Sequence, residues 1–331
     1  MVTLSDDKHA EEGLAGLLAM APECDATLVA AAWHALEEST QEAGLEVADD
    51  DLRDALAVAR ILADLHLDTE SLCAVLLHAP VARGTLPSEA VRTTFGLATA
   101  HLVDGVVRMD TIRDYAVLGD GADEQNAESL RKMLMAMVED VRVVLVKLAV
   151  RLQAMRGLRD RPEAERRQVA EETRDIFAPL ANRLGIWQLK WELEDLAFRY
   201  LEPDTYQQLA RALDERRVDR ERYLQAVTVT LEQELQSQGL VAEVSSRSKH
   251  LHSIWRKMQR KGVGLDEIVD TRAVRILVEE VAGCYAALGV AHGLWQHMPR
   301  EFDDYIANPK QHDYRSLHTA VIGPEGRTLE V

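Results

Sequence analysis

The most constraining feature of the sequence is a change of period partway along it. From about Asp25 to Tyr200 almost every segment repeats its apolar residues at helical spacing in helix-favouring Ala, Leu, Glu and Arg, and strand-like alternation is absent. Residues 51–65 place Leu52, Ala55, Leu56, Ala59 and Leu62 on one side of a helix, and Glu139 to Leu158 predicts a longer one. Residues 175–201 carry a third pattern through Ile176, Leu180, Leu184, Trp187, Trp191 and Leu196, read as helices bridging two domains. Punctuation falls at 83–87 and 119–122. Residues 203–238 add one or two charged amphipathic helices. Beyond them β and α alternate: a strand over Leu240–Val244, a helix, a strand over Ala273–Val278, a helix over Gly283–Gln296, and a strand over Arg315–Ile322. A turn at 323–326 and a return strand from Thr328 follow. An all-α half followed by a mixed α/β half is an α+β multidomain chain, divided as 1–178, 179–238 (connecting helices) and 239–331. A four-residue hairpin connection places Glu330 opposite His318 or Thr319.

The chain has 331 residues and a formal net charge of −18, so an extended basic surface for nucleic acid or membrane is excluded. Against that background Arg247, Lys249, Arg256, Lys257, Arg260 and Lys261 follow one another without an acid. Leu251, Ile254, Trp255 and Met258 give this run a helical apolar face, with Gly262 as its stop, so the cations cover the outer face. Unbonded N–H groups and the positive dipole end at the helix start would add to the attraction for an anion. Asp270 then stands just before the Ala273–Val278 strand. A basic helix followed by a carboxylate at a strand end suits a metal-bound polyphosphate; the same residues also fit a solvated basic face beside a structural Asp. Cys24, Cys73 and Cys284 are odd in number and unpatterned, which fits a reducing compartment and offers no metal cluster. Without a basic-then-apolar leader or a spanning apolar run, a cytoplasmic location with no membrane partner is expected.

Several segments together resemble one family. They are Lys249-His250 through Ser253–Met258, Asp270 with 272–276, Cys284–Gly289, Glu301–Lys310, and Tyr314 with 316–319. Upstream, Pro179–Ile186, Lys190–Leu196 and Ile61–Leu65 continue the similarity. This set resembles the long RelA/SpoT homologues of the stringent response. The resemblance implies a helical domain of the HD hydrolase type followed by a nucleotidyltransferase-like synthetase domain. It also implies transfer of the β,γ-diphosphate of ATP to the 3′-hydroxyl of GDP or GTP, giving (p)ppGpp and AMP. By position-by-position match, Asp270 and Glu330 are the two Mg2+ carboxylates, with Glu330 also the base for the 3′-hydroxyl. Arg247 would stack on adenine, and Lys249, Ser253, Lys257, Arg272 and Arg275 would hold ATP. Lys310, His312, Tyr314 and His318 would hold the guanosine nucleotide, Tyr314 by stacking.

The departures from the family pattern are as informative. The hydrolase metal positions read Asp54 for the first histidine, His78 followed by Ala79 for its aspartate, and Val150 for the later aspartate. Ala79 and Val150 have no lone pair to give a metal, so a pseudo-hydrolase is expected. The acidic segment Glu301, Asp303 and Asp304 replaces basic residues of bifunctional members and resembles the synthetase-only branch, with an altered demand for divalent ions near the acceptor. Ser246 and Ser248 flank Arg247 where the family has Gly and Pro, and His312-Asp313 precedes Tyr314 where Asn-Gly is usual. The family continues through the rest of the sheet and a C-terminal half that reads the ribosome and uncharged tRNA, whereas Val331 is the last residue here. A truncated synthetase domain, a terminal strand that frays at Glu330, and weak or no synthesis are the expectations.

Overall fold

The computed structural model describes residues 13–43, 45–117, 140–214, 217–247, 250–262, 264, 272–309 and 315–331. It separates into two compact units, Met1–Leu180 and Ala181–Val331. Among the described residues no helix is long and apolar enough to cross a membrane.

The first unit is helical: α1 (Ala26–Ala43), α2 (Leu45–Asp64), α3 (Thr69–Arg83), α4 (Ser88–Val117), α5 (Val141–Arg156) and α6 (Glu163–Glu172), then a π-turn at Thr173–Phe177 and the start of α7 (Ala178–Arg183). The Leu52–Leu62 stripe and the 139–158 pattern appear as parts of α2 and α5. Trp33, Leu62, Leu72, Leu76, Leu102, Leu148 and Leu152 are fully buried between these helices. Two start signals interlock. Asp68 accepts the Ser71 amide at the start of α3, Asp140 accepts the Arg142 amide at the start of α5, and the Arg142 guanidinium bonds both carboxylates. One cation thus fixes two caps.

The second unit contains α8 (Trp187–Leu201), α9 (Pro203–Asp214), α10 (Arg217–Ser237), β1 (Ala242–Arg247), α11 (Leu251–Lys261), β2 (Ala273–Val278), α12 (Val281–Leu294), β3 (Gln296–Asp304), β4 (Leu317–Ile322) and β5 (Thr328–Glu330). The sheet order is β1-β2-β5-β4-β3, with β2 and β5 parallel and the other pairs antiparallel. One face, bearing Val244, Val274, Val321 and Leu329, packs on α10 and α12. The α10 side chains Tyr223, Val227, Leu231 and Leu235 belong to this core, so part of the stretch read as connecting helices lines the sheet. A second core joins α8, α9 and α11 through Phe198, Leu209, Leu213 and Ile254.

Several local expectations need correction. β1 runs to Arg247 rather than ending at Val244, because β2 offers backbone partners to Ser245, Ser246 and Arg247. β3 carries no strand signal in the sequence: it is a sheet edge, its residues are mostly exposed, and it has little apolar alternation. The hairpin loop is one residue longer than counted. Gly323 donates to the Arg327 carbonyl at 2.8 Å around a 3-10 turn at Pro324–Gly326, so Ile322 pairs with Thr328 and Glu330 with Ala320. Nor does β5 lie loose. It is the middle strand, with Glu330 N–H donating to the Arg272 carbonyl on one side (3.0 Å). On the other side Val331 and Thr319 exchange both backbone bonds (2.8 and 3.0 Å).

Candidate functional site

Alternation along the strands decides which side chains can converge. Since Val274, Val321 and Leu329 face α10 and α12, their neighbours Ala273, Arg275, Ala320 and Glu330 turn to the opposite face. A single row crosses the sheet there: Arg247 opposite Ala273, Ala273 opposite Glu330, Glu330 opposite Ala320. His318, two residues before Ala320, is the diagonal neighbour of Glu330, with Nδ1 3.5 Å from Oε1 and both side chains partly buried. The ring of Tyr305 meets His318 edge-on at 5.5 Å, and Asp303 is the β3 partner of His318. The row therefore gathers Arg247 by register and Arg275, His318, Asp303 and Glu330 by face. Asp270, Lys249, Lys310, His312 and Tyr314 lie outside the described residues, as does the side chain of Arg247. By chain connection Asp270 precedes by three residues the Ala273 that pairs with Glu330.

Two predicted members of the site are engaged elsewhere. Arg272 precedes Ala273, so alternation sends it to the helix side, where its guanidinium lies 5.5 Å from the centre of the Tyr223 ring on α10; Arg327 approaches the same ring at 5.4 Å. Arg272 and Arg275 thus do not form one cationic clamp. Asp304 closes the turn after β3. Its Oδ1 accepts the Ala307 and Ile306 amides at 2.7 and 2.9 Å, and its Oδ2 accepts the Tyr285 hydroxyl at 3.1 Å. These bonds, the Ala307 amide first, hold the Asp304 carboxyl below the usual carboxylate range. Of the acidic segment, Glu301 and Asp303 remain exposed on β3.

The basic helix has the predicted form. Leu251, Ile254, Trp255 and Met258 of α11 pack on α8 and α9, with Trp255 stacked on Phe198 at 4.8 Å. Gly262 ends the helix at φ +64°, a left-handed conformation that a side chain would strain. Arg256 and Arg260 are exposed and Ser253 and Lys257 half-buried. The helix start differs from expectation. Its positive end already has an anion, because the Asp195 carboxylate on α8 accepts the His252 amide at 2.8 Å, so an incoming phosphate would meet the side chains of this helix first. Asp195 lies in the Lys190–Leu196 segment of family similarity without a role assigned to it, and Tyr223 carries no signal in the sequence; an Asp or a Tyr in an amphipathic helix does not announce a partner distant in the chain.

The first unit holds a cavity of about 390 Å³ lined by Asp54, His78, Lys147, Val150, Arg151 and Phe177, among others. The degenerate positions Asp54, His78 and Val150 do come together, while Ala79 adjoins His78 on α3. Asp54 accepts from Gln153 Nε2 at 2.9 Å, and His78 Nδ1 is 2.7 Å from the Val75 carbonyl, so that nitrogen carries the proton. The side chains missed in the sequence are the cations. Lys147 and Arg151 are each 6 % exposed; Arg151 bonds Glu172 at 2.8 Å and lies 4.1 Å over the Phe177 ring. Among the described residues no three His, Cys, Asp or Glu side chains cluster as metal ligands.

Two family models match this chain, the HD domain over residues 26–187 and the region found in RelA / SpoT proteins over residues 246–331. The chain is 46 % identical over 275 residues to a GTP pyrophosphokinase of Photobacterium angustum and 48 % identical over 276 residues to one of Escherichia coli. Each alignment covers 83 % of this chain and 37 % of the relative. A GTP pyrophosphokinase of Haemophilus influenzae is 43 % identical over 281 residues, covering 85 % of this chain and 38 % of its own length. The chain thus spans a little over a third of the length of these curated relatives. An HD domain followed by this second region, in an α+β two-unit fold and at this level of identity, makes the chain a RelA/SpoT homologue.

Proposed function

We propose that the second unit is a (p)ppGpp synthetase, moving the β,γ-diphosphate of ATP to the 3′-hydroxyl of GDP or GTP, and that the first unit is an inactive hydrolase. One observation carries the synthetase reading: the Glu330 carboxylate sits on the middle strand beside His318, and the Glu330 N–H bonds the carbonyl of Arg272, two residues after Asp270. Relatives named GTP pyrophosphokinase support the same reaction.

In this reading Glu330 takes the proton from the 3′-hydroxyl, whose oxygen forms a bond to the β-phosphorus of ATP as the bond from that phosphorus to the α,β-bridging oxygen breaks and AMP leaves. His318, in contact with Glu330, orients the carboxylate and the acceptor ribose. Arg275, Ser253 and Lys257, with Lys249, hold the triphosphate, Arg247 stacks on adenine, and Lys310, His312 and Tyr314 hold guanine. Arg272 acts indirectly, as an anchor of β2 on Tyr223. Glu330 and Asp270 suit magnesium, which binds through one or two carboxylates plus substrate phosphates. When bound, the ion neutralises charge on the transferring group. Incubation with ATP, GDP and magnesium is expected to yield AMP and ppGpp in equal amounts. Tight nucleotide binding with neither product would instead mark a non-catalytic nucleotide-binding regulator.

For the first unit, Ala79 and Val150 offer a divalent cation no ligand. We expect no manganese-dependent release of pyrophosphate from ppGpp; release above the metal-free background would contradict the inactive assignment.

A further inference from the structure

The stretch Lys190–Leu196 on α8 has no role in the reading above, yet it supplies the seat of the basic helix. Asp195 Oδ1 accepts the His252 amide at 2.8 Å, and Oδ2 lies 3.1 Å from Nδ1 of His250. His250 is the cap residue of α11 and makes no capping bond with its own side chain, so a carboxylate from another helix performs the capping. The His250 ring stacks on Trp191, one turn before Asp195, with centroids 5.5 Å apart and planes 25° apart. The next acid, Glu194, receives Lys190 Nζ at 2.8 Å and stands 3.6 Å from His252 Nδ1. Burial raises the Glu194 carboxyl, but the His252 ring and the Lys190 ammonium beside it outweigh burial and hold the group below its usual range.

We propose that Asp195 is a positioning residue for ATP: by bonding the His252 amide and the His250 ring it fixes the first turn of α11, and with it Ser253 and Lys257. The inference rests on the synthetase reading, which puts these two side chains on ATP. The apolar contacts of Leu251, Ile254, Trp255 and Met258 attach the helix broadly, but they are not directional. A cap bond is directional and sets the first turn. Ser253 and Lys257 are four residues apart and share one stripe of the helix, so a displaced first turn moves both. Lys249 adjoins His250 in sequence. The acceptor nucleotide, assigned to His318 and the 310–314 segment, has no such dependence on Asp195.

The test compares dissociation constants for magnesium ATP and for GDP in the whole chain and in Asp195→Ala and Asp195→Asn. Asp195→Ala is expected to weaken ATP about tenfold, the effect of a lost cap and its neighbouring bond, with GDP changed by less than about twofold. Asp195→Asn keeps an oxygen for the His252 amide and is expected to restore most of the ATP affinity. Equal weakening of ATP and GDP, or unchanged ATP binding in Asp195→Ala, overturns the proposal and leaves only a structural contact. If Asp195→Ala fails to fold, Asp195→Asn decides by the same split: ATP two- to threefold weaker with GDP unchanged supports the role, and equal shifts overturn it (about that size for a partly kept bond). Absence of ATP binding in the unaltered chain would remove the synthetase reading, and this inference with it; a failure confined to the variants leaves that reading standing.

Discussion

Changing Glu330 to Gln is expected to slow formation of AMP and ppGpp on the order of 10²–10⁴-fold, the range for loss of a positioned general base, with both nucleotides still bound. The substitution preserves shape. The bonds that hold β5 in the sheet are backbone bonds to Arg272 and Thr319, and Leu329 beside it is fully buried, so the strand keeps its place. What is lost is the carboxylate 3.5 Å from His318, which the proposed reaction uses as proton acceptor and magnesium ligand. Single-turnover measurements at saturating ATP and GDP separate this from weaker binding. A rate within about tenfold of the unaltered chain would remove Glu330 from the chemistry, because even a modest general base contributes more.

Glu172→Ala is expected to destabilise the first unit by about 3–5 kcal/mol, the cost of stranding one member of a buried ion pair. Arg151 is 6 % exposed and Glu172 17 %, with the pair 2.8 Å apart. The guanidinium is also set against the Phe177 ring at 4.1 Å. Replacing Arg151 by Met in the Glu172→Ala background should recover much of the loss, since an apolar group of similar length leaves no charge behind. Urea denaturation followed in the isolated substitution and in the double variant checks both. A loss below about 1 kcal/mol would place the pair among exposed salt bridges and contradict the buried geometry.

The legible parts of the fold were those governed by local period. Ala273–Val278 alternates because one side enters the core, and its bounds in the structure are the predicted ones. The apolar face of α11 and its Gly262 stop were equally plain. What stayed hidden depends on partners distant in the chain. β3 is an edge strand whose pairing with β4 does not require an apolar pattern. The register at Glu330 turned on one extra loop residue, Arg327, which no spacing rule supplies. Arg272 looked like a phosphate ligand beside Arg275, but a period of two separates them to opposite faces and Tyr223 receives the first. In the first unit Ala79 and Val150 were legible as side chains without a lone pair for a metal, whereas the burial of Lys147 emerged only from the packing of α5.

In the proposed reaction a two-phosphorus group passes to the guanosine 3′-oxygen. ATP labelled separately at its β- and γ-phosphates, incubated with GDP and magnesium, tests it most directly. Both labels are expected to arrive together on the 3′ position of the guanosine product, and the AMP released is expected to be unlabelled. Transfer of the γ label without the β label, with ADP as the second product, would contradict it.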